Sequence, residues 1–201
     1  MPHSILLYKL WSIGVTGSLW HWFKCYLSNR CHFVQLEDQS SALLPVKSGV
    51  PQGSILGPLL FLIFVNDLPD CISYSSLLLF ADDSKVQNTI SSPVDTSHLQ
   101  SDIDALISWT YTNSLFLNPK KCIAIRFSLS NSGSPTYTIE GCSISVPQFH
   151  RDLGIMVRGD LSWSILTITM FVLRLMVYCI ESTVLFLPQQ LSLSRSSSTS
   201  L

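Results

Sequence analysis

The sequence predicts an α+β fold, an antiparallel sheet with helices packed on one face. Three patterns carry the prediction. Residues 77–90 and 137–146 are short β-prone runs folded back on themselves at turn residues. Residues 95–112 repeat apolar side chains at three- and four-residue spacing, as an amphipathic helix does. Residues 59–65 are apolar on every side, which marks a helix buried in a core or between domains.

The elements follow in order. Residues 5–13 read as a short helix, with Ser4 as N-cap and Gly14 as its stop. Residues 18–27 form a second helix, with Leu19, Trp22, Phe23 and Tyr26 on one face. Residues 31–37 alternate as a strand, 38–41 turn, and 43–47 return. That hairpin feeds a glycine-punctuated loop at 48–58, Ser-Gly-Val-Pro-Gln-Gly-Ser-Ile-Leu-Gly-Pro. Pro58 sits early in the next helix, where its missing N–H costs nothing, and Pro69 stops that helix. Residues 77–81 form an apolar strand, Asp82-Asp83 the turn, and 84–90 the second strand. Ser91-Ser92-Pro93 link to the helix at 95–112. There Leu99, Ile103, Leu106, Ile107 and Trp109 are expected to face inward, and Asp102 and Asp104 outward. Residues 121–128 place Ile123, Ile125 and Phe127 on one face of a strand, and Glu140-Gly141 turns the last hairpin.

Composition narrows the function. The 201 residues are 47% hydrophobic, enough for a core, but only 12% charged, about half the usual globular share. The shortage suits a core with faces meant for absent neighbours. A net charge of -1 argues against strong non-specific binding of nucleic acid. Cys25, Cys31, Cys71, Cys122, Cys142 and Cys179 lack zinc-site spacing and read as free buried thiols in a reducing compartment. His3, His21, His32, His98 and His150 have neither catalytic nor metal spacing. Trp20, Trp22 and Phe23 read as core rather than base-stacking residues. The first apolar patch is broken by Lys9 and lacks a small-residue cleavage pattern, so an intracellular chain, nuclear or cytoplasmic, is expected rather than a secreted one.

The candidate chemistry lies in two segments. A loop of bare glycine backbone can approach a substrate closely, and Asp82-Asp83 end an apolar strand on paired carboxylates. Together these are what metal-dependent phosphoryl transfer needs. Taken alone, each segment is also an ordinary turn.

The ordered set of short strings resembles the palm of a reverse transcriptase of the non-LTR, LINE-like retrotransposon type. It runs Gly49-Val50-Pro51-Gln52-Gly53-Ser54-Ile55-Leu56-Gly57-Pro58, Asn66-Asp67-Leu68-Pro69, Phe80-Ala81-Asp82-Asp83, Trp109, Leu117-Asn118 with Lys121, Phe127, and Asp152-Leu153-Gly154 before Leu161-Ser162-Trp163. The resemblance covers roughly residues 3–163, and residues 1–163 are read as a partial palm domain. It implies Asp82 and Asp83 as magnesium ligands in two-metal nucleotidyl transfer, with Lys121 near the triphosphate. It implies Gly49, Pro51, Gln52, Gly53 and Gly57 beneath nucleotide and template, and Asp152, Leu153 and Gly154 at the primer end. RNA template and DNA primer are the implied partners.

In that family another carboxylate strand precedes the segment matching Ile5-Leu6-Leu7, and fingers, thumb and endonuclease are further parts. None has a counterpart here, so the chain alone is expected to hold magnesium and nucleic acid poorly and to lack activity, with the missing polymerase segments as partners. Residues 164–201 turn apolar and then Ser-rich, read as a divergent tail, frame-shifted or disordered. Two other readings stand beside the enzyme: a non-catalytic remnant or interaction module using 59–65, and a protein tethered to a membrane through 165–187. Arg174 and Glu181 inside that last stretch weigh against the tether.

Overall fold

The computed structural model describes residues 1–128, residues 135–160 and the backbone of 182–188. Most of the expected tail, residues 165–181 of the membrane candidate, and Leu161-Ser162-Trp163 lie outside the described residues. Helices alternate with small antiparallel sheets, so the fold class is α+β. Two compact units divide the described chain: residues 1–68 with 111–115, and residues 69–110 with 116–160 and 182–188.

In the first unit, α1 (His3–Ser12) packs against α2 (Gly17–Leu27) and α3 (Leu56–Val65). Helix α1 starts earlier than expected. Its N-cap is Pro2, and no side chain caps it. Gly14 stops it as predicted, with φ at 93° and its N–H donated to the Trp11 carbonyl. In α2 the buried residues are Phe23, from the predicted stripe, and Leu27; Leu19 and Trp22 face solvent, and Trp22 stacks on Tyr26. Between the helices lie two nested hairpins. The outer pairs β1 (Cys31–His32) with β4 (Leu44–Pro45), and the inner pairs β2 (Gln35–Leu36) with β3 (Gln39–Ser40).

A buried lysine joins α1 to the end of α3. Lys9 donates to the Phe64 carbonyl at 2.7 Å and to Asp67 at 2.6 Å. The carbonyls of a helix's last turn have no partner within the helix, and a cation there also meets the favourable end of the helix dipole. Burial lowers the Lys9 ammonium below its usual range, and Asp67 works against that shift. Lys9, which breaks the first apolar patch of the sequence, is thus committed inside. Helix α3 corrects the expectation of burial on every side. Leu60, Phe64 and Val65 are buried, while Ile55, Leu59 and Leu62 are 95%, 49% and 60% exposed.

In the second unit, a 3₁₀ turn at Pro69–Cys71 leads to β5 (Ser76–Phe80) and β6 (Asp83–Thr89). Helix α4 (Pro93–Thr112) follows. Pro93 opens it, and Ser92 and Asp95 cap it reciprocally: Asp95 accepts the Ser92 N–H at 2.8 Å, and the Ser92 hydroxyl accepts the Asp95 N–H at 3.4 Å. After a 3₁₀ turn at Pro119–Lys121 come β7 (Ile123–Phe127), the hairpin of β8 (Thr138–Ile139) and β9 (Cys142–Ser143), and the hairpin of β10 (Phe149–Asp152) and β11 (Ile155–Arg158). Strand β12 (Ser182–Pro188) falls within the stretch read as tail. It pairs antiparallel with both β6 and β7, giving the sheet order β5-β6-β12-β7.

Helix α4 buries Leu99, Ile103 and Leu106, as its periodicity implies. Asp102, expected outward, is 2% exposed. Its carboxylate accepts the backbone N–H groups of Ser73, Tyr74 and Ser75 at 2.9, 3.0 and 2.7 Å. Those donors precede a strand and lack ladder partners, so an ionised acceptor on the facing helix satisfies them. Tyr74 also stacks on His98, one turn earlier in α4, with ring centroids 3.9 Å apart. The cysteines differ from expectation too. Cys122 is buried and its thiol is pushed up to about 11 by burial, but Cys25, Cys31 and Cys142 are exposed.

Removing the Asp102 carboxylate leaves three partly buried donors without an acceptor. Asp102→Ala should therefore lower stability by roughly 3 kcal/mol, with Asp102→Asn losing less. Urea unfolding followed through the second unit measures this. An unchanged midpoint in Asp102→Ala would mean that water replaces the carboxylate without penalty.

Candidate functional site

Strands β5 and β6 bring the two predicted carboxylates to the end of a hairpin. The register runs from Ser76↔Gln87 to Phe80↔Asp83, leaving Ala81 and Asp82 as a two-residue turn. This corrects the expected placement of both aspartates in the turn: Asp83 is the first residue of β6. The left-handed backbone also falls on Ala81, at φ 50°, rather than on an acidic residue. Alanine carries no side-chain device for that conformation, so the closing ladder holds it there, at a cost of about 1–2 kcal/mol. Asp82 is exposed and Asp83 is half-buried.

Strand alternation then sorts β6. Ser84 and Val86 are buried, and Asp83, Lys85 and Gln87 occupy the other face. The Lys85 ammonium reaches Asp152 of β10 at 2.6 Å, a pair with both side chains largely covered. His150, on the same face of β10, feels the charges of Asp152, Lys85 and Asp83. Asp83 and Asp152, two residues given separate roles from sequence, thus both act on one histidine.

The turn between β10 and β11 is Leu153-Gly154, with φ at 46° and 88°. Positive φ at both positions is the type I′ pattern, which matches the twist of its strands. Leu153-Gly154 is therefore a tight hairpin tip, and Asp152 is the last paired residue before it. Lys121 ends the 3₁₀ turn before β7 and is exposed. The Asn118 side chain caps that turn by accepting the Lys120 N–H at 3.1 Å.

The glycine loop belongs to the first unit. Gly49 and Gly53 hold left-handed backbone at φ 83° and 77°. At Gly57 an added Cβ would crowd the Pro51 carbonyl and the Ser54 hydroxyl, both at 3.3 Å. Ser54 organises the bend by donating to the Pro51 carbonyl at 2.8 Å and accepting the Gly57 N–H at 3.0 Å. Gln52 is exposed at the crest, and His3 bonds the Gly49 carbonyl at 2.8 Å.

Asp82 and Asp83 offer hard oxygen donors of the kind magnesium takes. Among the described residues, no group of three or more His, Cys, Asp or Glu side chains stands together as a metal site. One or two carboxylates fit a magnesium ion that keeps its waters and takes its remaining ligands from phosphates. They do not by themselves make a two-ion site.

Sequence reasoning missed Lys85, His150 and Asp102. Lys85 stands two residues after Asp83, so a shared strand face was readable. Its partner lies 67 residues away, and nothing local announces it. Asp102 meets donors 27 to 29 residues earlier, equally invisible to periodicity.

Residues 1–154 match the family model described as reverse transcriptase (RNA-dependent DNA polymerase). The RNA-directed DNA polymerase from mobile element jockey of Drosophila melanogaster is 29% identical over 170 residues, 81% of this chain and 18% of that protein. Its Drosophila funebris counterpart is 29% identical over 169 residues, again 18% of its length. The probable RNA-directed DNA polymerase from transposon BS of Drosophila melanogaster is 32% identical over 150 residues, 70% of this chain and 17% of that protein. The chain thus spans under a fifth of the length of these relatives. No solved structure gives a significant match.

Burial holds His150 below the ordinary histidine value of 6.5; Asp152 opposes that shift, Lys85 reinforces it and Asp83 opposes it. Lys85→Met should raise the His150 midpoint, and Asp152→Asn should lower it further. The folded state binds fewer protons here than the unfolded chain. The His150 contribution to stability is therefore intact above about 6.5 and falls as pH drops from there toward the folded value. Titration of the His150 ring proton by NMR reads this directly. A midpoint at or above 6.5, or no response to Lys85→Met, contradicts the geometry.

Proposed function

This chain belongs to the reverse transcriptase family, and from that premise we propose that it supplies part of the palm of an RNA-directed DNA polymerase of a LINE-like mobile element. The observation that carries the reading is the carboxylate turn: Asp82 exposed at the bend and Asp83 opening β6, held by a closed two-residue hairpin. A preformed turn presents hard oxygen ligands with little ordering left to do.

In this reading Asp82 and Asp83 hold magnesium, which when bound activates the primer hydroxyl and steadies the triphosphate. The loop with Gly49, Pro51, Gln52, Gly53 and Gly57 lies under nucleotide and template. Lys121 supplies positive charge near the triphosphate, and Asp152, Leu153 and Gly154 seat the primer end. Template RNA and primer DNA are the partners of the whole polymerase. Asp82 and Asp83 by themselves do not make a two-ion site, and the net charge of -1 offers little grip on a phosphate backbone.

Two experiments test this. The 201-residue chain should extend a primer on an RNA template no better than its Asp82→Ala variant. A chimera carrying its palm segment in place of the matching part of the jockey polymerase should extend the primer, and Asp82→Ala should cost it roughly 10³-fold or more. Activity of the chimera that survives Asp82→Ala overturns the assignment. Should the chimera fail to fold, manganese added to the isotope-labelled chain decides: broadening centred on the amides of residues 81–84 supports the metal role, and broadening elsewhere refutes it.

A second reading is favoured by Ile55, Leu59 and Leu62. They recur at four- and three-residue spacing along α3 and face solvent. Such a stripe suits the remaining polymerase segments as partner. Leu59→Gln with Leu62→Gln should weaken binding of the remaining polymerase segments supplied in trans and leave the unfolding midpoint within about 0.5 kcal/mol, since exposed positions carry little core energy. A large loss of stability would show that the stripe is already part of a core.

A further inference from the structure

The β10–β11 hairpin is held at two places. At its open end, Gly159 donates its N–H to the Gln148 carbonyl at 3.2 Å and accepts the Ser128 N–H at 3.1 Å. Gly159 also lies so close to the Arg126 carbonyl that a Cβ there would collide with it. At its closed end, Asp152 immediately precedes the Leu153-Gly154 turn and receives the Lys85 ammonium at 2.6 Å. Lys85 stands on β6, two residues after Asp83 and on the same strand face.

We propose that Lys85 is a positioning residue: by binding Asp152 it fixes the tip of the β10–β11 hairpin relative to the Asp82–Asp83 turn. The purpose of this latch rests on the polymerase reading above, because a primer end seated on the hairpin must keep a constant distance from metal held at the turn. Its existence does not rest on that reading. Three features give the pair more weight than an exposed ion pair. Both side chains are largely covered, so salt and water screen the contact weakly. The hairpin tip is a two-residue turn, so a hold on Asp152 is a hold on the whole tip. Asp83 and Asp152 also bear like charges within reach of the same imidazole. Losing the ammonium breaks the tether.

The test uses the full isotope-labelled chain without nucleic acid, and reads amide hydrogen exchange at residues 149–158. In Lys85→Met, amides around Asp152 and Ile155 should exchange roughly tenfold faster, while α4 and the Gly159 end keep their rates. Lys85→Arg should behave as the parent, and Lys85→Asp combined with Asp152→Lys should restore slow exchange. An unchanged tip in Lys85→Met overturns the latch. So does uniform loosening of the second unit, or failure of the reversed pair to recover. A second arm adds manganese. Broadening in the parent should reach from residues 81–84 to residues 152–154, and in Lys85→Met it should stay at 81–84. If manganese leaves 81–84 untouched in the parent, the metal assignment falls, and the exchange result alone decides the latch.

Discussion

A carboxylate buried on a helix sets the position of the candidate site. Asp102 gathers three successive N–H groups just before β5, and those groups have no ladder partner to turn to. Burying an ionised group is expensive unless its lone pairs are filled, and here backbone donors fill them. The loop is thereby fixed by main-chain atoms, which cannot change rotamer. Strand β5 starts from that fixed point, and its register with β6 determines which residues fall in the turn. Asp82 reaches the bend because five paired positions place it there, not because aspartate favours bends.

Charge is scarce in this chain, and the structure ties part of it down. Lys9 serves the last turn of α3, and Lys85 serves Asp152. Both are internal commitments of cations that a count of basic residues would assign to a ligand. The consequence differs at the two sites. Lys9 closes a helix end. Lys85 shares a strand face with Asp83 and commits its charge to Asp152, a hold on the β10–β11 hairpin.

Local chemistry made much of this legible in the sequence. Glycine and proline marked the helix ends, Glu140-Gly141 marked a tight turn, and the periodicity of α4 found Leu99, Ile103 and Leu106. The carboxylate hairpin was located within one residue. The failures share a cause. Asp102 and Lys85 look like ordinary surface charges because their partners are tens of residues away, and hydropathy treats every charge as outward. The exposed face of α3 was hidden for the opposite reason: a helix apolar all round offers no contrast from which to read the side that packs. Leu19 and Trp22 were assigned inward by spacing alone, although one helical face admits two adjacent stripes and only packing against α1 chooses between them.

The strand that carries Asp83 and Lys85 depends on a segment with no family resemblance. Strand β6 lies between β5 and β12, so both of its edges are paired. The left-handed Ala81 is strained, and strain persists only where the surroundings over-determine it. Pairing on one side would leave β6 an edge strand, free to twist or to recruit another chain. Pairing on both sides removes that freedom from Asp83 to Gln87. Residues 182–188 run from Ser182↔Thr89 to Pro188↔Asp83, and their last position lies opposite the catalytic candidate itself. Proline there gives up no ladder donor that the end of the strand requires. A segment that reads as unrelated tail in one dimension therefore completes the support of the carboxylate turn in three.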